Sequence, residues 1–412
     1  MAEKEKALLI PQYMHHFQCI GSACEDSCCV GWRVNVDEET YKKYRKVTHS
    51  DLQPILSKQV TRNRSTPSAT NFAKIKMLAD SRCPFLTADM LCTIHKNLGE
   101  NYLSLTCATY PRTTNQVNRV MERSATMSCP EAARLALLPK EVMEFDQVLE
   151  QIDNRKVIAK VIETDSIKVS KKAERYFWEL RIFTIQILQE RTYPLWQRLI
   201  VLGLFMGKVQ EIVESKQFEQ LESVTQNYMT FLTDGSLKQL MSEIPDQTTI
   251  QMRVLKELVD ERLTQGVNNQ RYLQCLNQTL QGIEYKQGAT YTAVMECYND
   301  AYQKYYQPYI DENAHILENY LVNYVFRNMF PLGERGVFGE YMMLVIHFSM
   351  IKLHLIGMAR YHKGLTDEQV LKLIQSFAKT VEHNNAYLRK VYSLLAQNSF
   401  DTMAHMSILI KN

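Results

Sequence analysis

Strong charge of either sign is missing from this 412-residue chain, in which 48 Lys and Arg face 45 Asp and Glu for a formal net charge of +3. That balance argues against a generic polyanion binder, so no nucleic-acid partner is expected, while a local basic patch stays compatible with it. Long apolar runs are missing too. Met-Ala-Glu-Lys-Glu-Lys leads into only Ala7 to Ile10 before Pro11, short of the apolar core of a secretory leader. Val337 to Met358 comes nearest to a membrane span, and Glu340, His347, Lys352 and His354 interrupt it. No membrane span and a cytoplasmic location are the expectations. There is no βαβ alternation, no fixed repeat, and no Gly-x-Gly-x-x-Gly following a strand, which excludes a solenoid and an ordinary Rossmann turn for a nucleotide-like cofactor. With 45% hydrophobic and 23% charged residues the chain is globular in composition. Its length suits two or three domains of roughly 150 residues each.

Cysteine is nearly absent from the last two-thirds. Of 10 cysteines, only Cys275 and Cys297 lie beyond Cys129, and their helix-like surroundings read as the burial of small hydrophobes. The others form two blocks, Cys19, Cys24, Cys28 and Cys29, then Cys83, Cys92, Cys107 and Cys129. In a reducing compartment disulfides are rare, and such crowding points to metal binding or catalysis. Adjacent Cys28 and Cys29 point in different directions and serve one site only if the backbone bends between them. The first block reads Cys-x4-Cys-x3-Cys-Cys. It supplies one pair of zinc-module type, Cys24 with Cys28, lacks the bacterial ferredoxin run, and places Gly31 where a radical-type S-adenosylmethionine motif has its third cysteine. The residues therefore point to a thiolate metal site, iron–sulfur or zinc, with ligands from both blocks. The order of preference is Cys24, Cys28, Cys83 and Cys107, followed by Cys29, Cys19, Cys92 and Cys129. Eight thiols exceed one four-ligand site, so some are structural or a second metal is present. His15 and His16 are lesser candidates.

Trp32, Val34 and Val36 alternate as in a short half-buried strand, and Glu38 to Arg45 reads as a helix. Thr61 to Asn71 is a polar loop; Cys83 to Cys92 is a hairpin-like excursion; Asn97 to Leu105 is a helix that delivers Cys107. Past Pro139 the pattern changes. Val142, Phe145, Val148, Leu149 and Ile152 recur at helical spacing. Amphipathic stretches follow at about 171–191, 194–215, 249–264, 268–282, 290–307, 312–329, 336–362 and 367–382. Pro194 opens one of them, and Thr366 with Gln369 forms a capping box at the start of another. The expected fold is mainly α: a Cys-rich, loop-rich metal-binding region with short strands over 1–138, followed by a large all-helical domain over 139–412.

Phe17-x-Cys19, Cys24 with Cys28-Cys29, Cys83-Pro-Phe-Leu, Cys92-x-Ile and Cys107-x-x-Tyr-Pro resemble the zinc- or iron-chelating CxxCxxCC domain. A fuller set is similar to the flagellin lysine N-methylase family: Cys24-Glu-Asp-x-Cys-Cys-x-Gly-Trp32, Thr40-Tyr41-x-Lys43-Tyr44, Leu98-Gly-Glu100 with Leu103-Ser104, Cys129-Pro-Glu-Ala-Ala, and Glu318 to Pro331. The likeness spans most of the chain. It implies a protein-lysine N-methyltransferase acting on flagellin, with S-adenosylmethionine as donor and a 4Fe-4S cluster on the N-terminal cysteines. Zn2+ is the alternative ion, in a non-catalytic chelating or delivery protein; a third reading is an iron–sulfur oxidoreductase or redox sensor. A lysine amine, with a solution pKa of about 10.4, cannot attack a sulfonium methyl until it loses a proton. On the helical side the candidates for lining such a site are Glu318, Tyr320, Tyr324 and Arg327, with Asn319 and Asn323 beside them. The Tyr298, Tyr302, Tyr305, Tyr306 and Tyr309 stretch reads more readily as core. No residue is assigned to the donor.

Overall fold

A computed structural model describes residues 5–151, 157–169, 172–286 and 288–411. The first apolar run forms β1 (Glu5–Pro11), in which alternation buries Leu8 and Ile10. Short strands β2 (Asn35–Val36), β3 (Val60–Arg62) and β4 (Ala73–Ile75) make a small sheet ordered β2-β4-β3. A hairpin of β5 (Arg112–Val117) and β6 (Val120–Ala125) joins β1, with Leu8 opposite Met121. Then β7 (Phe145–Gln151) and β8 (Ile158–Ile162) close the order β7-β1-β6-β5-β8.

Two expectations are corrected here. Val142, Phe145, Val148 and Leu149 do not belong to a helix: β7 runs antiparallel to β1 from Glu5 opposite Gln151 to Pro11 opposite Phe145. Ile152 lies outside the described residues. The open edge of β1 needs partners for its N–H and C=O groups, and that long-range demand overrides a local 3–4 spacing. The region past residue 139 is likewise not all-helical, since β7 and β8 complete the sheet that β1 begins.

Helices near the cysteines are short: α1 (Glu38–Tyr44), α2 (Leu52–Gln59), α3 (Thr93–Leu98), α4 (Leu105–Thr109) and α5 (Pro130–Leu137). Asp37 caps α1 and also accepts from the Leu105 N–H, tying two of the Cys-bearing segments together. The large helical body follows as α6 (Phe177–Gln189), α7 (Leu195–Ser215), α8 (Leu221–Asp234), α9 (Ser236–Ser242), α10 (Thr248–Thr264) and α11 (Gln270–Gly282). It continues as α12 (Tyr291–Ala301), α13 (Gln307–Asn328), α14 (Gly336–His362), α15 (Asp367–Phe377), α16 (Asn385–Gln397) and α17 (Met403–Ile410). Thr366 and Gln369 form the expected capping box on α15. Two π turns interrupt the helices, Tyr302–Tyr306 before α13 and Ala378–Glu382 after α15.

Helix α14 has the length and hydropathy of a membrane span, yet its most apolar window is wholly buried. It is the axis of the body: α7, α11 and α17 pack around it. Gly282 of α11 meets Gly357 of α14 so closely that a Cβ on Gly282 would fall on the Gly357 carbonyl oxygen. The sheet is bolted to the helices by the Glu122–Arg181 pair, bidentate at 2.6 and 2.7 Å and with both side chains almost fully buried. Arg181 also lies over the rings of Phe177, Trp178 and Phe326.

Candidate active site

Helix α13 passes between the sheet and the body. Its amide side chains do the docking: Asn323 donates to the Ala125 carbonyl and accepts from the Tyr13 hydroxyl at 2.8 Å, while Asn319 donates to the Pro139 carbonyl. Glu318 points elsewhere. Both its oxygens are occupied by Arg191 and Arg198, and it is buried outside the lining of the cavity described below. Arg198 in turn donates to the Leu188 and Tyr193 carbonyls, so Glu318 anchors the α6–α7 connection.

Tyr320, Tyr324 and Arg327 are four and three residues apart and share the opposite face. Tyr324 and Arg327 line a cavity of about 930 Å³ bounded by β8, the C-terminal end of α13, the Pro331–Gly336 loop, α14, the second π turn and α16. Tyr320 stands behind the wall and donates to Glu382 Oε1 at 2.7 Å, and Arg327 donates to the other Glu382 oxygen. The Arg327 and Glu382 side chains are 12% and 4% exposed. Burial works against the Glu382 charge, but Arg327, His347 and the Tyr320 hydroxyl prevail and hold its carboxyl below the usual carboxylate range. His347 of α14 forms part of the same wall, with Tyr324 at 5.2 Å between ring centroids. Its Nε2 and Arg327 Nε are buried without a hydrogen-bond partner among the described residues. Lys160, Glu163, Glu334, Arg335 and Arg389 add charges of both signs around this floor.

Glu382 was not singled out in the sequence, and His347 only as an interruption of an apolar run. Glu382 has no local signal, as it closes an ordinary amphipathic stretch. His347 had one: with Glu340 it interrupts an otherwise apolar helix at a seven-residue interval, and both line the cavity.

The cysteines gather in two places. Cys83 is buried in the small core of the β2-β4-β3 sheet, with Cys29, Cys92 and Cys107 packed against it. Cys83 N–H donates to the Cys29 carbonyl at 2.8 Å, and Leu86 bridges to Cys92 across the expected hairpin. Burial pushes the Cys83 thiol up to about 11 and the Cys107 thiol up to about 12, and Cys28 and Cys92 raise both further. The Cys28 thiol is pushed up first by its hydrogen bond with Cys29, then by burial. In the second place Cys129 is pushed up to about 12, by burial and then by Cys24 and Cys19. Burial likewise raises Cys24. Neighbouring thiols that raise one another are a donor set suited to a shared cation, which would displace their protons on binding. Among the described residues no three His, Cys, Asp or Glu side chains converge as a preformed single-ion site. His15 pairs with Asp146 at 3.0 Å and His16 is exposed, both apart from the thiols. Cys275 is fully buried in the helical core. Tyr298 and Tyr306 are core residues as well, and Tyr309 donates to Asp367 at 2.7 Å.

One π turn touches both regions. Lys379 donates to both oxygens of Asp26, at 2.9 and 3.0 Å, and to the Ser27 carbonyl, gripping the loop between Cys24 and Cys28. Gln375, one turn earlier, donates to Asp26 at 2.7 Å and to the Ser128 carbonyl beside Cys129. Glu382 closes that same turn on the cavity side. Single π turns inside helices are frequent at functional sites.

A family model described as the FliB lysine N-methylase C-terminal domain matches residues 181–409. Lysine-N-methylase of Salmonella choleraesuis (strain SC-B67) is 22% identical over 392 residues, covering 93% of either chain. Its counterpart from Salmonella typhimurium is 22% identical over 393 residues, again with 93% coverage of each. The flagellar biosynthetic protein FliU of Salmonella muenchen is 33% identical over 145 residues, 35% of this chain and 85% of FliU. No solved structure matches significantly. The domain match takes in α13, α14 and the second π turn, all of which wall the cavity. The chain belongs to the FliB lysine N-methylase family.

Proposed function

We propose that this chain is a protein-lysine N-methyltransferase that acts on flagellin, takes its methyl group from S-adenosylmethionine, and brings lysine and donor together in the cavity floored by Tyr324, Arg327, His347 and Glu382. Family membership supports the methyltransferase activity, and the flagellar name of one relative supports the substrate. The observation that carries the location is the charged floor. Glu382 is a buried carboxylate kept ionised, and an anion framed by aromatic rings suits a lysine ammonium or a sulfonium. Arg327 and Arg335 beside it suit a carboxylate such as the donor's amino-acid end. The volume is of the order that small-molecule and cofactor sites occupy.

The cysteine donor set fits a 4Fe-4S cluster. Cys28, Cys83, Cys92 and Cys107, with Cys29 adjacent, would hold one centre; Cys19, Cys24 and Cys129 are the thiols left for a second or for structural use. A cluster held there by four thiols would supply an iron–sulfur centre that ties the Cys-bearing segments together, and the donor's carboxylate is left to Arg327 and Arg335. Aromatic and carboxylate groups of the cavity orient the lysine.

Iron, sulfide and zinc analysis of protein purified without oxygen, followed by calorimetric titration with S-adenosylmethionine, tests this. About four irons and four sulfides per chain are expected for one 4Fe-4S centre, together with donor binding that a Leu388→Trp plug in the cavity abolishes. One zinc without sulfide, and no donor binding, would replace the enzyme with a chelating protein.

A further inference from the structure

A lysine ammonium has to shed its proton before its nitrogen can attack, and one cavity side chain is arranged to take it. His347 is 2% exposed, lies on the long core helix α14, and faces the cavity. Its Nδ1 is 2.5 Å from the Met343 carbonyl oxygen. A carbonyl only accepts, so Nδ1 carries the ring proton and Nε2 keeps a free lone pair. That Nε2 is the atom buried without a partner. The neighbouring Glu382 carboxylate, by contrast, is engaged: it receives Arg327 and Tyr320 on its two oxygens.

The groups facing His347 define its charge state. Tyr324 and Arg327 come from α13, Phe377 meets the ring edge-on from α15, Glu382 comes from the π turn, and Arg335 from the loop before α14. Burial pushes the imidazole below its ordinary value, Arg327 and Arg335 push it the same way, and Glu382 opposes them. The ring is neutral at pH 7, and an imidazolium formed transiently has the Glu382 charge nearby to stabilise it. Glu382 itself, held ionised by its partners, is the weaker base of the two.

We propose that His347 Nε2 is the general base that accepts the proton of the target lysine, an assignment that rests on the cavity being the transfer site. The ammonium N–H bond breaks and the proton passes to Nε2. The freed nitrogen lone pair forms the N–C bond as the methyl C–S bond of the sulfonium donor breaks, its electron pair staying on sulfur. The product is a methylated ammonium and a neutral thioether, and His347 returns its proton to solvent, so one proton is released per transfer.

His347→Asn is the informative variant. The asparagine amide occupies the place of Nδ1, keeps the donation to Met343, and removes Nε2. With anaerobically purified full-length protein and purified flagellin, the single-turnover methylation rate is expected to fall about 10²–10⁴-fold. S-adenosylmethionine affinity and thermal midpoint should stay near wild type. The residual rate should climb about tenfold per pH unit toward the lysine's own pKa of about 10.4, as solution takes over deprotonation. A variant rate within threefold of wild type with an unaltered pH profile overturns the assignment. Should the variant fail to fold, the wild-type profile decides: its rate must fall on the acid side through one ionisation below about 6.5, and a rate that shows no such fall anywhere in the pH range over which the protein stays folded overturns the proposal. The Leu388→Trp plug separates the two levels. If it leaves donor binding and methylation intact, the cavity is not the site; if it blocks both while His347→Asn is fully active, only the base is wrong.

Discussion

Glu382→Gln should cost far more stability than a surface glutamate, and the cost should be recoverable. The carboxylate is nearly sealed off, takes the Tyr320 hydroxyl at 2.7 Å on one oxygen, and takes Arg327 on the other. An amide can serve one of those donors and presents an N–H to the second. Breaking a buried ion pair from one side costs about 3–5 kcal/mol, because the remaining charge keeps its desolvation penalty. Arg327 opens on the cavity, which places the expected loss near the lower end, about 3 kcal/mol. Arg327→Met should cost a similar amount, and the double variant should lose much less than the two together, giving a coupling energy of about 2 kcal/mol. Urea denaturation followed by far-UV circular dichroism measures all three. The pH dependence gives a second check. Arg327 and its neighbours depress the folded-state carboxyl, so its contribution is complete above the unfolded value of about 4.3 and is lost as pH falls through the depressed folded value. Wild type should therefore lose stability on acidification through a component that the double variant lacks. Single-variant costs that simply add in the double variant, within about 0.5 kcal/mol, would refute the coupled buried pair.

Gly282→Ala should destabilise by at least about 2 kcal/mol, because its Cβ has nowhere to go but into the α14 backbone at Gly357; the same change at Gly266, with open space around it and a left-handed φ, offers a comparison in a thermal melt. Lys352 is buried on α14, donates to the Ile410 carbonyl at 2.8 Å, and is pushed down to about 7 by burial. The unfolded chain then binds more protons than the folded one between about pH 7 and 10.4, so wild-type stability should rise with pH across that window, and Lys352→Met should flatten the rise in urea titrations at several pH values. Lys379→Ala removes the grip on Asp26 and should cost about 1–3 kcal/mol. Hydrogen exchange should report it as lost protection confined to the Cys24–Cys29 loop and the adjacent π turn, and an unchanged exchange pattern there would show that the contact does not hold the loop.

The cysteine clustering, the capping box at Thr366 and most long helices were legible because each rests on residues close together in the chain. The β7 segment was not, since Phe145, Val148 and Leu149 sit 3 and 1 apart and mimic one helical face, while the strand exists because β1 offers an unpaired edge more than a hundred residues away. Leu149, at 69% exposed, shows that no buried face drove its placement. The cavity was half legible for a geometrical reason. Tyr320, Tyr324 and Arg327 follow the helical repeat and share a face, whereas Glu318 is two residues from Tyr320, which is about 200° around an α-helix and puts it on the opposite side with Arg191 and Arg198. Glu382 joins them only through tertiary packing of the π turn. His347 was visible as an interruption of an apolar helix, where its polarity weighed only against a membrane span. A titratable side chain in the middle of a core helix carries a desolvation cost that packing alone does not offset. Glu340 and His347, seven residues apart, stand on one stripe of α14, and that stripe faces the cavity of about 930 Å³. Here two polar residues spaced by seven in an otherwise apolar core helix mark a wall that is not fully packed, and that wall is part of the proposed site.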